Sequence, residues 1–295
     1  MSTLRVAVTE AVPAHARPMV AADAKNARAG RRRRPGAIRP NAGLEAAYRR
    51  ALTRMAGEMD ASVRYWVAAA YRANEPEVAR VAAEDELPAA ALLRAVRVLA
   101  KRWLRRFEAA APKLAAWFAG DAAKQSDAAL RKILRDGGFS VRFKLTAAER
   151  DVMRATVAQN VALITSIPAQ YFGQVEQSVM RSVAAGRDLG GLAKELRDHY
   201  GVTKRRAAFI ARSQNNLATA ALTRSRQLEV GITQATWLHS GGGKEPRPTH
   251  VKAGRDRQVY DVAKGWYDPH EKKHIWPGEL PNCRCVCRPV VKGFT

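Results

Sequence analysis

The residues best suited to chemistry crowd into one short stretch. Cys283, Cys285 and Cys287 stand at alternate positions, and His239, His250, His270 and His274 fall within the preceding fifty residues. A Cys-x-Cys element with a distant histidine supplies thiolate and imidazole, the ligands that tetrahedral zinc prefers. A metal would also explain how a segment rich in Gly and Pro, with few large aliphatics, keeps a shape. The plainer alternative is three small apolar cysteines beside surface histidines. Three cysteines this close cannot pair off in relaxed disulfides, so the thiols are expected to be reduced.

Enzyme signatures fit less well. A zinc deaminase needs His-x-Glu and Pro-Cys-x-x-Cys, whereas this chain has His250-Val251-Lys252 and Asn282-Cys283-Arg284-Cys285. Gly241-Gly242-Gly243-Lys244 lacks the spacing of a phosphate-binding loop. Asp256, Asp261 and Asp268 are too loosely spaced to favour a metal-dependent nuclease, which stays only as the competing enzyme class.

The remaining 230 or so residues must position this segment, and their charge is unusual. The 295 residues carry 51 Lys+Arg against 27 Asp+Glu, a formal charge of +24, which points to a polyanionic partner. The first fifty residues hold 11 basic and 3 acidic side chains, among them the run Arg31, Arg32, Arg33 and Arg34, with almost no apolar period. Residues 1–43 therefore read as a disordered basic arm able to contact phosphates without reading sequence. No window is apolar enough to span a bilayer, and charges interrupt the first twenty residues where a signal peptide needs an apolar core, so no membrane partner is expected.

The spacing predicts helices over residues 44–145, with Pro88 and Pro112 opening or interrupting them. Leu92, Val96, Leu99, Trp103 and Phe107 form one apolar face, and Arg94, Arg97, Lys101 and Arg105 a cationic stripe on the opposite side. After Gly137-Gly138, Thr146 and Glu149 form a capping box that opens a new unit. Its first helix carries Val152, Val157, Val161 and Ile164 and is expected to end before Pro168; a second follows Tyr171, Val175, Val179 and Val183 to a stop at Gly186. A short third helix closes at Gly201, and a long one runs from an N-cap at Thr203 to Gly231, burying Ile210, Leu217, Ala221 and Leu228. Strands are expected within 233–238, 258–262 and 286–291. The fold class is mainly α: a disordered basic arm (1–43), a helical N-terminal region (44–145), and a C-terminal domain (146–295) made of a helical bundle (146–231) and an irregular β/loop cap (232–295).

Five pieces of sequence occur in a recognisable order: Asn160-x-x-Leu163-Ile164-x-x-Ile167-Pro168-x-x-Tyr171; Arg205-Arg206-Ala207-x-x-Ile210-Ala211-Arg212-x-Gln214; Gly231-Ile232 leading to Trp237; Arg247-Pro248-x-His250; and Pro281-Asn282-Cys283-Arg284-Cys285. Together they resemble the phage Mu F-like head morphogenesis family over roughly the last 130 residues. The resemblance implies a non-enzymatic minor capsid protein of a tailed double-stranded DNA phage or prophage. Such a protein is associated with the portal and the capsid interior of the virion, and with the host cytoplasm during assembly. Many family members carry Cys-Pro-x-Cys where this chain has Arg247 to His250. That substitution suggests His250 as a structural zinc ligand with Cys283 and Cys285, and Cys287 or His239 as fourth. The phosphate contacts expected on packaged DNA are Arg31, Arg32, Arg33, Arg34, Lys101, Arg105, Lys204, Arg205 and Arg206.

Overall fold

A computed structural model describes residues 35–73, 88–185, 188–243 and 245–291. Four long helices come first: α1 (Ala42–Ala73), α2 (Pro88–Asp136), α3 (Ala147–Ala184) and α4 (Leu189–Glu229). At about 1.5 Å per residue, the 49 residues of α2 span roughly 70 Å. The cap follows as β1 (Gln234–Leu238), α5 (Pro248–Arg255), β2 (Val259–Asp261), β3 (Trp266–Asp268), β4 (Lys273–Ile275) and β5 (Val286–Pro289). β1 lies between β2 and β5, antiparallel to both, and β3 and β4 form a separate hairpin. Arg31–Arg34 lie outside the described residues, as do Gly186 and the link between α1 and α2.

The apolar faces read from spacing are where the core forms. Leu92, Val96, Leu99, Trp103 and Phe107 of α2 are buried together with Tyr171, Val175 and Val179 of α3. One core takes in residues of all four long helices, so 44–145 and 146–231, read separately from the sequence, pack against each other as one body. Alanines at 111, 115, 207, 211 and 218 keep those helices close. The capping residue Thr146 accepts from the amide of Glu149. At the far end of α4, Gly231 takes φ 75°, a left-handed conformation that glycine adopts at little cost, and Ile232 N reaches back to Gln227 O.

Three expected breaks are absent. Pro112 lies inside α2 on an exposed face, where the carbonyl it leaves without an amide can be hydrated while Ala111 and Ala115 pack on the opposite side. Pro168 lies inside α3 and is buried; just before it, the Thr165 and Ser166 hydroxyls donate to the carbonyls of Val161 and Leu163. Gly201 and Thr203 sit within α4, Thr203 Oγ1 donating to His199 O rather than capping a new helix. The roughly 1 kcal/mol that a helical glycine costs is small beside burial of the α4 face. That face also differs from expectation. Leu228 is exposed, and the buried line includes Gln214, Asn215, Thr219, Thr223 and Arg226, of which Gln214, Asn215 and Arg226 are held by Asn160, the Asn41 carbonyl and Asp127 respectively.

Two of the polar partners come from the resemblance motifs. Tyr48 Oη donates to Asn160 Oδ1 at 2.8 Å, and Asn160 Nδ2 donates to Gln214 Oε1 at 2.9 Å, which links α1, α3 and α4 inside the core. Tyr171 Oη donates to the buried carboxylate of Asp60, whose other oxygen accepts from Arg64 Nε. Replacing Asn160 with leucine keeps the branching of the side chain but strands the Tyr48 hydroxyl and the Gln214 carbonyl and adds methyl bulk; we expect a loss of about 2–3 kcal/mol in chemical denaturation. A midpoint unchanged at constant slope would show the network to be dispensable.

The segment read as the end of the arm is tied down. Ile38 is buried and its amide donates to Cys287 O, and Asn41 Oδ1 accepts from Leu44 N at the start of α1. The arm expected over 1–43 is therefore shortened: its last residues, from Ile38 on, are held by the cap and by α1.

Candidate metal centre

The C-terminal chain builds the site from three pieces. Pro248 opens α5, and His250, two residues on, points inward. Asn282, with φ 62°, closes a tight turn in which Cys283 N donates to Leu280 O, and Cys285 then leads into β5. Trp237, fully buried on β1, packs edge-on to the His250 ring at 5.0 Å between centroids. The site thus sits in the cap's own core, with Tyr260, Val262 and Ile275 around it.

His250 Nδ1 lies 3.4 Å from Cys283 Sγ and 3.8 Å from Cys285 Sγ. Zn–S bonds of about 2.3 Å and Zn–N bonds of about 2.0–2.1 Å at a tetrahedral angle separate nitrogen from sulfur by about 3.6 Å. The three ligand atoms lie within 4.8 Å of one another and all three residues are buried, so they fit a tetrahedral zinc ion. On the other side of the ring, His250 Nε2 is 3.4 Å from the carboxylate of Asp268, which is 0% exposed. Asp268 is held in turn by Thr249 Oγ1 and by the amide of His270. A proton on Nε2 facing Asp268 leaves Nδ1 as a lone pair aimed at the thiols, the arrangement that orients a metal-binding histidine.

The thiols carry a shared proton. The hydrogen bond from Cys285 pushes the Cys283 thiol down to about 4, against burial and with help from His250 and the Gly278 amide; the same bond, with burial, pushes Cys285 up. A divalent metal must displace that proton. Its affinity is expected to rise with pH, about tenfold per unit for one proton displaced between pH 6 and 8, in competition with a chromophoric chelator. A flat profile would exclude paired thiolate ligation.

The sequence-derived residues divide. His250, Cys283 and Cys285 converge. Cys287 does not: it has joined β5 opposite Trp237, two residues further along an extended strand, accepting from Gln227 Nε2 at 3.6 Å, and burial raises its pKa to about 11. His239 Nδ1 accepts from the amide of Gly241, and among the described residues no fourth ligand joins the cluster. Arg247, standing where a cysteine would ligate, clamps the cysteine turn instead, its guanidinium donating to Pro281 O and pairing with Glu271. Asp268, Asn216, whose amide donates to Cys283 O, and the Gly278 amide on Cys283 Sγ were missed. The Asp268-Pro269-His270 run was the available signal for the first; the Gly278 contact is made by the turn within the cap, and Asn216 is visible only once α4 and the cap meet.

Of the expected phosphate contacts, Lys101 and Arg105 are exposed on α2, as the stripe requires, although Arg97 in the same stripe pairs with Glu176 of α3. Lys204 and Arg205 are exposed on α4, whereas Arg206, turned about 100° further round the helix, donates to Ser166 Oγ of α3. Ser178, His199 and Glu195 also meet, but Ser178 is buried and Glu195 bonds the serine, not the imidazole, so no oriented base is formed.

A long helical body with a Cys/His-clasped β cap is the class of protein these features define. Residues 173–288, from the last third of α3 to the third residue of β5, match the model of the family described as Phage Mu protein F like protein, in agreement with the resemblance in the motifs. A relative, an uncharacterized protein of Haemophilus influenzae (strain ATCC 51907 / DSM 11121 / KW20 / Rd), is 37% identical over 139 residues; the aligned part is 47% of this chain and 29% of that relative's length. No solved structure matches. No helix among the described residues is long and apolar enough to cross a membrane.

Proposed function

We propose that the protein acts in phage head morphogenesis as a minor head protein, without catalysis, meeting the portal and packaged double-stranded DNA inside the capsid. The family match over residues 173–288 carries this reading. The charge of +24 supports it, because a protein facing packed phosphates gains from releasing their condensed counterions. The His250–Cys283–Cys285 cluster serves as a structural zinc site, its burial within the cap core suiting a clasp that fixes shape. Mass spectrometry of immature heads and finished particles, with pull-down of the portal protein, tests the assignment: the chain is expected in both at low copy, and its absence from both would overturn it.

One observation favours a second reading. The three-ligand cluster borders a cleft of about 600 Å³ lined by His239, Glu245 and Arg247 among others, and a zinc site with an open position beside a cleft is the form catalysis uses. A metal-dependent nuclease would cut duplex DNA in the presence of Mg²⁺, Mn²⁺ or Zn²⁺ and lose that activity in His250→Ala. We expect no cutting by either protein.

A further inference from the structure

The seam between α1 and α4 holds a cleft of about 710 Å³ whose walls carry Arg49, Arg50 and Arg54 from α1 and Lys204 and Arg205 from α4, with Tyr200 beside them. Among the described residues no carboxylate lines it. All five cations are exposed, and among the described residues none of their side chains has an ion pair or a hydrogen bond. Elsewhere the molecule does pair its arginines. Arg64 takes Asp60, Arg106 takes Glu58, Arg97 takes Glu176 and Arg181 takes Glu195, so Glu58 and Asp60 of α1 are already engaged, and Glu45, the other acid of α1, is not among the residues lining the cleft. Arg50 and Arg54 are four residues apart on one face, a like-charge spacing that works against the helix, and α4 adds two more charges across the seam. The seam itself is close: a Cβ at Gly57 would stand 3.2 Å from Tyr200 Oη, so this glycine lets Tyr200 lie against α1.

We infer that this cleft is an anion site that seats the phosphodiester backbone of duplex DNA, independent of sequence. Unpaired guanidinium groups converging from two rigid helices match consecutive phosphates, which arginine can contact through two parallel N–H donors. With no apolar wedge and one half-buried tyrosine, the cleft offers backbone contacts and no platform for unstacked bases. This deepens the DNA-facing role proposed above. It places the contact on α1 as well as α4, at residues that charge counting had not separated from the rest, and away from Lys101 and Arg105 on α2.

The test uses the full chain and a labelled 30-base-pair duplex of arbitrary sequence, with anisotropy measured over a range of salt. The variant Arg50→Gln/Arg54→Gln/Lys204→Gln/Arg205→Gln is expected to weaken binding at least tenfold near physiological salt. It should also flatten the plot of log affinity against log salt by about three to four, since each of the four phosphate contacts adds roughly 0.9 to the slope. Lys252→Gln/Arg257→Gln/Lys264→Gln/Lys273→Gln removes the same charge from exposed cations of the cap and serves as the control, expected to change the slope by less than one. Thermal melts keep the comparison sound: relieving like-charge repulsion should leave the quadruple variant at least as stable as the parent. If it binds with unchanged affinity and slope while the parent binds tightly, the cleft inference is wrong and the DNA-facing role stands on other residues. If the parent itself fails to bind, both fall. If polyglutamate of matched charge binds the parent more tightly than the duplex at equal salt, the cleft takes an acidic protein and the inference is likewise overturned.

Discussion

Substituting methionine for Arg226 is expected to cost about 3–5 kcal/mol, the range for leaving buried carboxylates without their cation. Arg226 is 4% exposed near the end of α4. Its guanidinium meets Asp127 of α2 through two bonds of 2.7 and 2.8 Å, Glu149 of α3 at 2.6 Å and Glu229 at 2.6 Å, and it donates to the carbonyl of Lys144. One side chain thus closes the junction of three helices and the α2–α3 connection. Most of the loss comes from Glu149, whose side chain is 3% exposed, because Asp127 and Glu229, about a fifth exposed, are partly screened by water. Burial raises the Glu149 pKa and Arg226 opposes that rise, so without the arginine the carboxyl favours its protonated form still more. A folded-state pKa above the unfolded one means that ionisation disfavours the fold. The penalty in Arg226→Met is therefore largest at neutral pH and shrinks as pH falls toward the carboxylate range. Thermal melts at pH 7 and pH 5 read both effects, with a drop of roughly 10 °C at pH 7. Adding Glu149→Gln to Arg226→Met should recover part of the loss. A variant melting within about 2 °C of the parent would show that the cluster contributes nothing.

The second large effect is removal of metal. Protein purified without oxygen or chelator is expected to carry close to one zinc per chain, and Cys283→Ser or His250→Ala close to none. Structural zinc contributes on the order of 10 kcal/mol in small domains with little core of their own. Here the cap also buries Trp237, Tyr260, Val262 and Ile275, so loss of metal should loosen it without unfolding the four helices. Near-ultraviolet dichroism of Trp237 should collapse and proteolysis move into 239–285, while far-ultraviolet dichroism stays nearly constant. Asp268→Asn keeps the ligands and changes only what faces His250 Nε2, and it is expected to weaken zinc 10–100-fold. Zinc-free protein with an unchanged cap spectrum would reduce the cluster to hydrogen-bonded core.

Much of this was legible in residue order. The apolar face Leu92–Phe107, the Thr146 cap and the Gly231 stop are local statements, each decided by residues within a few turns, and each stands in the structure. The three strands of the larger sheet were legible for the same reason, whereas β3 and β4 lie in a segment broken by Gly265, Pro269 and the charged pair Lys272 and Lys273 and show no apolar period. The breaks expected at Pro112, Pro168 and Gly201 failed because a local rule was applied where packing decides. The roughly 3 kcal/mol that an internal proline costs is offset when its orphaned carbonyl faces water, as beside exposed Pro112, or when the helix around it is buried, as at Pro168.

Composition and pattern by themselves determined that the chain is mainly helical, that it carries a large unbalanced positive charge, and that its chemistry-bearing residues lie between His239 and Cys287. Only the tertiary structure decided which of them meet. His250 and Cys283 are 33 positions apart and come within 3.4 Å because α5 and the Asn282 turn fold against one tryptophan. Cys287, two residues from Cys285, is carried off by the strand it joins. Likewise Lys204 and Arg205 are left facing Arg50 and Arg54 while Arg206 turns to Ser166. Periodicity depends on neighbours along the chain, but a site depends on distances across it, and those are set by burial and hydrogen bonding among residues far apart in sequence.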